Sequence, residues 1–383
     1  MITLPPLSLY VHIPWCVQKC PYCDFNSHAQ KAEIPEKQYI DALLEDLATD
    51  LQRLNITPRP LHSIFIGGGT PSLISPQEIG RLLRGIDSQL PFADDIEITM
   101  EANPGTVEAD RFIAYRQAGV NRISIGIQSF EDEKLKRLGR IHGRSEAIRA
   151  AGLAQEAGLN SFNLDLMHGL PDQSPQQALA DLDKAIALSP PHLSWYQLTI
   201  EPNTLFYSKP PQLPDDDDLW DIFELGNEKL KAAGYVQYEI SGYSKPGMQC
   251  RHNLNYWRFG DYLGIGCGAH GKVSFEDGRI TRTVKVKHPR GYLNMLKPYL
   301  DQQTNVEVND RPFEFFMNRF RLVEPCPKAD FTARTGLPLT RIADGLSAAK
   351  AEGFIEEDET HWHITPKGQL FFNDLIGLFV GEA

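Results

Sequence analysis

Residues 10–25, YVHIPWCVQKCPYCDF, contain the three cysteines that decide the reading of this chain: Cys16, Cys20 and Cys23, spaced C-x3-C-x2-C. Structural zinc sites ordinarily use four ligands, as two C-x2-C pairs or as a pair with two histidines. Here the other cysteines, Cys250, Cys267 and Cys326, stand alone and far downstream. Three thiolates on one short loop suit a 4Fe–4S cluster, and because such a cluster usually takes four protein thiolates, one iron would stay open. A structural cluster has no use for an open iron, so the triplet reads as a reactive site. The bland alternative is a zinc loop completed by His12 or a distant cysteine.

The chain has 383 residues, enough for two domains or more, one of them barrel-sized. Hydrophobic content of 42% and charged content of 23% are those of an ordinary globular protein. A net charge of −12 argues against a nucleic-acid backbone as partner. The first residues carry no basic leader and no apolar run reaches transmembrane length, which leaves peripheral membrane contact open. Free thiolates need a reducing compartment, so the expected location is the cytoplasm.

Outward from the triplet, short strands alternate with helices. Strands are expected at 7–13, 63–66, 96–101, 122–128, 161–167 and 193–201, and helices at 39–54, 76–89, 145–157 and 175–188. Alternation of this kind gives a parallel sheet. Each strand is apolar on one face only: Leu7, Leu9, Val11 and Ile13 oppose Ser8, Tyr10 and His12, and Ile96, Ile98 and Met100 oppose Glu97, Thr99 and Glu101. A closed eight-stranded barrel fills its lumen with Val, Ile and Leu. A polar inner face instead predicts a partly open barrel around a polar ligand. The triplet follows the first strand, Gly67-Gly68-Gly69-Thr70-Pro71 the second and Glu101-Ala102-Asn103-Pro104 the third; Gln128 ends the fourth and Asp165 lies within the fifth. Ligands bind at these carboxyl ends. The triple glycine lets backbone approach a ligand and leaves N–H and C=O groups free for it.

The triplet, with Tyr22 inside it, resembles the signature of the radical S-adenosylmethionine superfamily. In that family the methionine amino and carboxylate groups occupy the open iron, and reductive cleavage of the sulfonium yields a 5′-deoxyadenosyl radical. Nearly the whole chain is similar to the branch that contains oxygen-independent coproporphyrinogen III oxidase and the haem chaperones. The resemblance implies a partial parallel (β/α)6-type barrel with a smaller C-terminal helical, winged-helix-like domain. It places Tyr10 by the methionine end of S-adenosylmethionine and Tyr22 by the adenine. Gly68, Gly69 and Thr70 would hold the amino group, and Glu101, Gln128, Arg140 and Asp165 the ribose and carboxylate groups. Taken singly, each of these residues has a structural explanation, such as a cap or a surface position.

The oxidases carry a fourth cysteine two residues after the third, and here that position is Phe25. Residues 252–257, HNLNYW, resemble an element of the haem-chaperone branch. An imidazole beside large aromatics is what a haem pocket uses; taken alone, the element reads as a hydrogen-bonded histidine beneath an aromatic cluster. His252, Tyr256 and Trp257 are therefore the candidate haem residues, with Cys250 and Cys267 as rival iron ligands. Gly264 to Gly268 reads as a close-packed glycine turn. The aspartates of LPDDDDLW (213–220) read as a solvated helix start. After about residue 290 helices are expected, and 339–379 reads as helix, strand, strand, helix, a lid or docking domain. The expected division is 1–235 for the barrel, 236–300 for a connecting region and 301–383 for the C-terminal domain. The implied function is a chaperone with haem as cargo and haem-accepting proteins, such as respiratory enzymes, as partners. The alternatives are an oxidase of coproporphyrinogen III, a radical enzyme on another tetrapyrrole, and an interaction protein with a vestigial cluster.

Overall fold

In the computed structural model, which describes residues 2–30, 32–105, 110–294 and 296–381, the alternating elements form one twelve-stranded sheet and no closed barrel. At its centre β1 (Leu7–Ile13), β2 (Leu61–Gly68), β3 (Phe92–Ala102), β4 (Arg122–Gln128), β5 (Ser161–His168) and β6 (His192–Gln197) lie parallel in chain order. Helices α1 (Glu36–Leu54), α2 (Pro76–Asp87), α3 (Arg144–Glu156) and α4 (Pro175–Ala187) connect them. Local chemistry sets their ends. Ser75 and Ser174 cap α2 and α4, each followed by a proline in the first turn, and Asn55 closes α1 in the left-handed conformation at φ 46°.

The apolar strand face packs beneath these helices: Leu9, Val11, Ile64, Ile66, Ile123, Ile125 and Leu164 are fully buried. Each such side chain contributes about 1.5–3 kcal/mol. The opposite face is polar, and in the N-terminal halves of the strands it is closed by the chain itself. The HNLNYW element forms helix α6 (Arg251–Trp257), preceded by α5 (Asp216–Ala232). Ser63 Oγ lies 3.1 Å from His252 Nδ1, and Asn255 donates to Ser8 Oγ at 2.9 Å. The first N–H groups of α6, from Arg251 and His252, donate to the Glu97 carboxylate at 3.0 and 3.2 Å. A carboxylate there satisfies donors that a helix start leaves open. HNLNYW is thus a plug in the lumen. The aspartate run does start α5, with Asp215 accepting from Asp218 N.

Three expectations need correction. The strand read as 193–201 ends at Gln197, because its neighbour β5 ends at His168, opposite it. The stretch 264–268 is more than a turn: its first residues close β9 (Asp261–Ile265), which lies parallel beside β1. A Cβ on Gly264 would sit 1.9 Å from the His270 carbonyl oxygen, which hid a strand behind glycine. Third, helices do not take over at 290. Beyond β9, the strands β10 (His270–Ser274), β11 (Ile280–Lys285) and β12 (Leu300–Asn305) extend the sheet antiparallel. Strand β12, LDQQTN, is an exposed edge with no apolar alternation to reveal it. Strands β7 (Val236–Glu239) and β8 (Gly242–Ser244) complete the other edge. A separate three-stranded sheet (326–327, 355–357 and 361–364) with its helices forms the C-terminal part around Phe316, Phe331 and Trp362.

A buried ionic knot ties the added strands to α1. Lys285 of β11 pairs with Asp46 and Asp50, and Asp46 also accepts from Tyr292 OH at 2.6 Å and Gly266 N at 3.1 Å. Removing one partner of a buried pair strands the other's charge. Lys285→Met is expected to lower stability by about 3–5 kcal/mol in urea titration. Lys136→Met, at the exposed pair with Glu133, is expected to leave the urea midpoint essentially unchanged.

Candidate functional site

The C-terminal ends of the strands enclose two adjoining cavities. The first, of about 520 Å³, is lined by Cys16, Cys20, Tyr22, Cys23, Gly68, Gly69, Thr70, Glu101, Gln128, Arg140 and Asp165. The second, of about 910 Å³, is lined by Tyr10, Phe65, His252, Tyr256, Trp257 and Tyr262 among others. Gly68, Glu101 and Trp257 belong to both walls. Every candidate residue for the cluster, S-adenosylmethionine or haem therefore reaches one cavity or the other except the rival thiols Cys250 and Cys267, and Tyr10 faces the second.

The thiols of Cys16, Cys20 and Cys23 are unbridged and partly exposed on the wall of the first cavity. Among the described residues, no three His, Cys, Asp or Glu side chains converge as ligands of one metal ion. Three thiols close enough to feel one another's charge on one cavity wall suit an iron–sulfur cluster. Nor can His12 complete a zinc site. Its Nε2–H donates to the Asn26 carbonyl at 2.9 Å and its Nδ1 accepts from Tyr10 OH at 3.0 Å. Burial lowers its pKa to about 4.

The glycine loop is less free than expected. Gly68 N–H donates to Glu101 Oε2 at 3.0 Å. Gly69 N–H and Thr70 N–H donate at 2.7 Å to the carbonyls of Ile13 and Trp15, stitching this loop to the cysteine loop. Only acceptors, the carbonyls and the Thr70 hydroxyl, remain to meet an ammonium group. The approach is close: a Cβ on Gly69 would lie 2.5 Å from the Trp15 carbonyl oxygen. At Gly68, φ is +111° and a Cβ would strike the His12 ring at 2.4 Å.

Arg140 is held by Asn103 Oδ1 at 2.7 Å and the Gly126 carbonyl at 2.6 Å, with its guanidinium 3.8 Å from Cys20 Sγ. Asn103 also donates to Thr70 Oγ1 at 3.1 Å, joining the third strand's end to the glycine loop. Sequence reasoning passed over this asparagine; its place in ANPG, directly after a strand, was the available signal. Gln128 sits at φ 70° beside a register shift between β4 and β5, and its side chain accepts from Tyr196 OH at 2.9 Å. A left-handed non-glycine at a cavity wall marks stored strain of the kind found at ligand sites. Glu101 and Asp165 are the cavity's half-buried carboxyl pair. Burial, then the neighbouring Asp165, raises Glu101 to about 7. Burial also raises Asp165, against hydrogen bonds from Ser124, Ser194 and Asn163. Tyr22 packs on an apolar corner of Leu138, Met167, Leu198 and Phe206 suited to a flat ring.

In the second cavity His252 is buried, its Nδ1 against Ser63 and its ring 5.2 Å from Phe65. Burial, followed by nearby Arg122, lowers its pKa to about 3, so it is a neutral imidazole with Nε2 left for a ligand. Tyr256 and Trp257 meet edge to face at 4.8 Å, and Arg321 lies over the Trp257 ring at 4.6 Å. The rival thiols are engaged elsewhere. Cys250 donates to Glu97 Oε1 at 3.4 Å and Cys267 to the Lys287 carbonyl at 2.8 Å. Burial pushes both up to about 12, so both stay protonated.

Residues 10–185 match the family described as the Radical SAM superfamily, and 306–371 match the HemN C-terminal domain. The protein named heme chaperone HemW from Escherichia coli (strain K12) is 64% identical over 382 residues, covering 100% of each chain. The heme chaperone HemW of Haemophilus influenzae is 62% identical, again over 100% of both. That of Bacillus subtilis (strain 168) is 34% identical, over 98% of this chain and 99% of its own. The solved structure of coproporphyrinogen III oxidase (HemN) from Escherichia coli aligns with a TM-score of 0.82 at 23% identity, covering 98% of this chain and 90% of that one. It shares the fold.

The carboxyl pair gives a pH signature. Folding raises Glu101 from 4.5 to about 7, so across that window the folded state keeps a proton that the unfolded chain has lost. Stability from this group is present at low pH and declines as pH rises to about 7. Denaturation midpoints of the ligand-free protein, measured between about pH 5 and 8, are expected to fall less steeply in Glu101→Gln than in the native chain. Parallel profiles would show that Glu101 ionises normally.

Proposed function

The chain belongs to the haem chaperone HemW family of the radical S-adenosylmethionine superfamily, and from that premise we propose that it carries haem in the second cavity and a 4Fe–4S cluster with S-adenosylmethionine in the first. The observation that carries this is the separation of two chemically different cavities by a shared wall. One holds three thiols, Arg140 and a carboxyl pair; the other is lined by aromatic rings and holds a neutral imidazole.

Cys16, Cys20 and Cys23 would hold the cluster, which when bound supplies one-electron reduction of S-adenosylmethionine. The carbonyls of Gly68 and Gly69 with the Thr70 hydroxyl accept from the methionine ammonium, and Tyr10 lies behind them. Glu101, Gln128 and Asp165 accept from ribose hydroxyls, while Arg140 pairs with the carboxylate. Tyr22 and its apolar corner take the adenine. For the cargo, His252 Nε2 is the iron ligand and Ser63 fixes its tautomer, as second-shell partners do. Tyr256 and Trp257 lie against the macrocycle. The recipient is a haem-accepting protein, with respiratory enzymes the expected class. Phe25, exposed on the wall of both cavities, replaces the oxidases' fourth cysteine, so conversion of coproporphyrinogen III is not expected. Among the described residues no helix is long and apolar enough to cross a membrane, and the unbridged cysteines suit the cytoplasm.

Anaerobic reconstitution tests both cavities. Cys20→Ala is expected to lose the cluster iron yet still bind haem. Glu101→Ala and Asp165→Ala are expected to weaken S-adenosylmethionine binding with the cluster spectrum intact. His252→Ala is expected to shift the Soret band, and Trp257→Ala to weaken haem binding. Haem binding that disappears with Cys20→Ala and ignores His252 would overturn the assignment of the second cavity.

A further inference from the structure

Two lysines, Lys19 and Lys287, line the mouth of the second cavity in a chain of net charge −12, with neutral His28 and His270 beside them. Asp24 shares this rim, and Glu101 lies on the wall common to both cavities. The two lysines come from distant parts of the chain and are fastened at one seam. Asn26 Nδ2 donates to the carbonyls of Cys267 and Lys287 at 2.9 and 2.8 Å, tying the loop after Cys23 to the strand edge. Lys19 Nζ lies over the same loop, donating to the carbonyls of Phe25 at 3.2 Å and Ser27 at 3.4 Å. The rim histidines record its field. Burial and then the charges of His288 and Lys19 lower His28, against a hydrogen bond to the Lys287 carbonyl. Burial and then Lys287 and Arg282 lower His270. No carboxylate is among the groups acting on either histidine.

A cationic mouth on an aromatic chamber suits a flat ligand with anionic groups at one edge, and the volume lies within the range of about 300–1,000 Å³ usual for ligand pockets. We propose that this rim is a carboxylate clamp: haem enters ring first, against Tyr256, Trp257 and Phe65, and its two propionates pair with Lys19 and Lys287. The assignment rests on the haem reading above and adds an orientation to it, iron toward His252 and carboxylates toward solvent. Burying an unpaired carboxylate is costly, whereas at the mouth each keeps water and gains a cation. His270 serves as a further N–H donor there. Release then begins from the propionate edge, the only part of the cargo a recipient protein would first meet.

The test is absorbance titration of the full-length protein with haem and with haem dimethyl ester, which has the same ring and iron but no carboxylates. Haem is expected to bind about tenfold more tightly than its ester, equivalent to about 1.4 kcal/mol, with the difference shrinking as salt rises. In Lys287→Glu the preference is expected to vanish while the Soret position, set at His252, stays the same. Lys19→Gln, with its iron content checked because it adjoins Cys20, is expected to reduce the preference in part. Equal affinity for haem and ester in the native chain, or an undiminished preference in both variants, would overturn the clamp while leaving haem binding standing. If neither compound binds, the haem reading itself fails.

Discussion

Glu97 sets the division of the lumen. Its carboxylate, on the polar face of the third strand, takes the first two N–H groups of the 251–257 helix and the thiol of Cys250. A parallel sheet with one polar face must satisfy that face or flood it. Here the N-terminal halves of the strands are satisfied by the chain's own helix. Ser8, Ser63, Asn255 and His252 form one chain of hydrogen bonds, and Asn163, Ser124 and His192 form another. The C-terminal halves are left to ligands. One carboxylate thus fixes both where the sheet is closed and where it is open.

The wall between the cavities is built from the residues nearest the chemistry. Gly68 and Glu101 face both sides, joined by a hydrogen bond of 3.0 Å. The loop after Cys23 reaches from the thiols to the mouth of the second cavity, where Asn26 anchors it. Placing the cysteine loop therefore also places part of the second cavity. The Tyr10–His12–Asn26 relay runs through the same loop, so its backbone is held from both sides.

Much of this was legible in the sequence because it depends on periodicity and local motif. Strands 7–13 and 122–128 have the bounds expected of them, and the cysteines, Glu101, Gln128, Arg140 and Asp165 share one cavity as their strand ends implied. What escaped depends on contacts between distant residues or on weak patterning. Glu97 read as one more polar alternation, since nothing nearby announces residue 251. The strand 261–265 was masked by its glycine, and 300–305 by its polarity. The N–H groups of Gly69 and Thr70 looked free because their acceptors, Ile13 and Trp15, belong to another strand's loop. Tyr10 alternates correctly, yet which chamber it faces depends on where the helix plug stops.

The central claim is that the lumen holds two sites, separate but sharing a wall. Its most direct test is calorimetric titration of S-adenosylmethionine into cluster-loaded protein, first without haem and then saturated with it. The account predicts one equivalent of S-adenosylmethionine bound in both cases, with the Soret band of the bound haem retained throughout. Displacement of haem by S-adenosylmethionine, or loss of its binding when haem is present, would mean that the two compete for one chamber and would contradict the account.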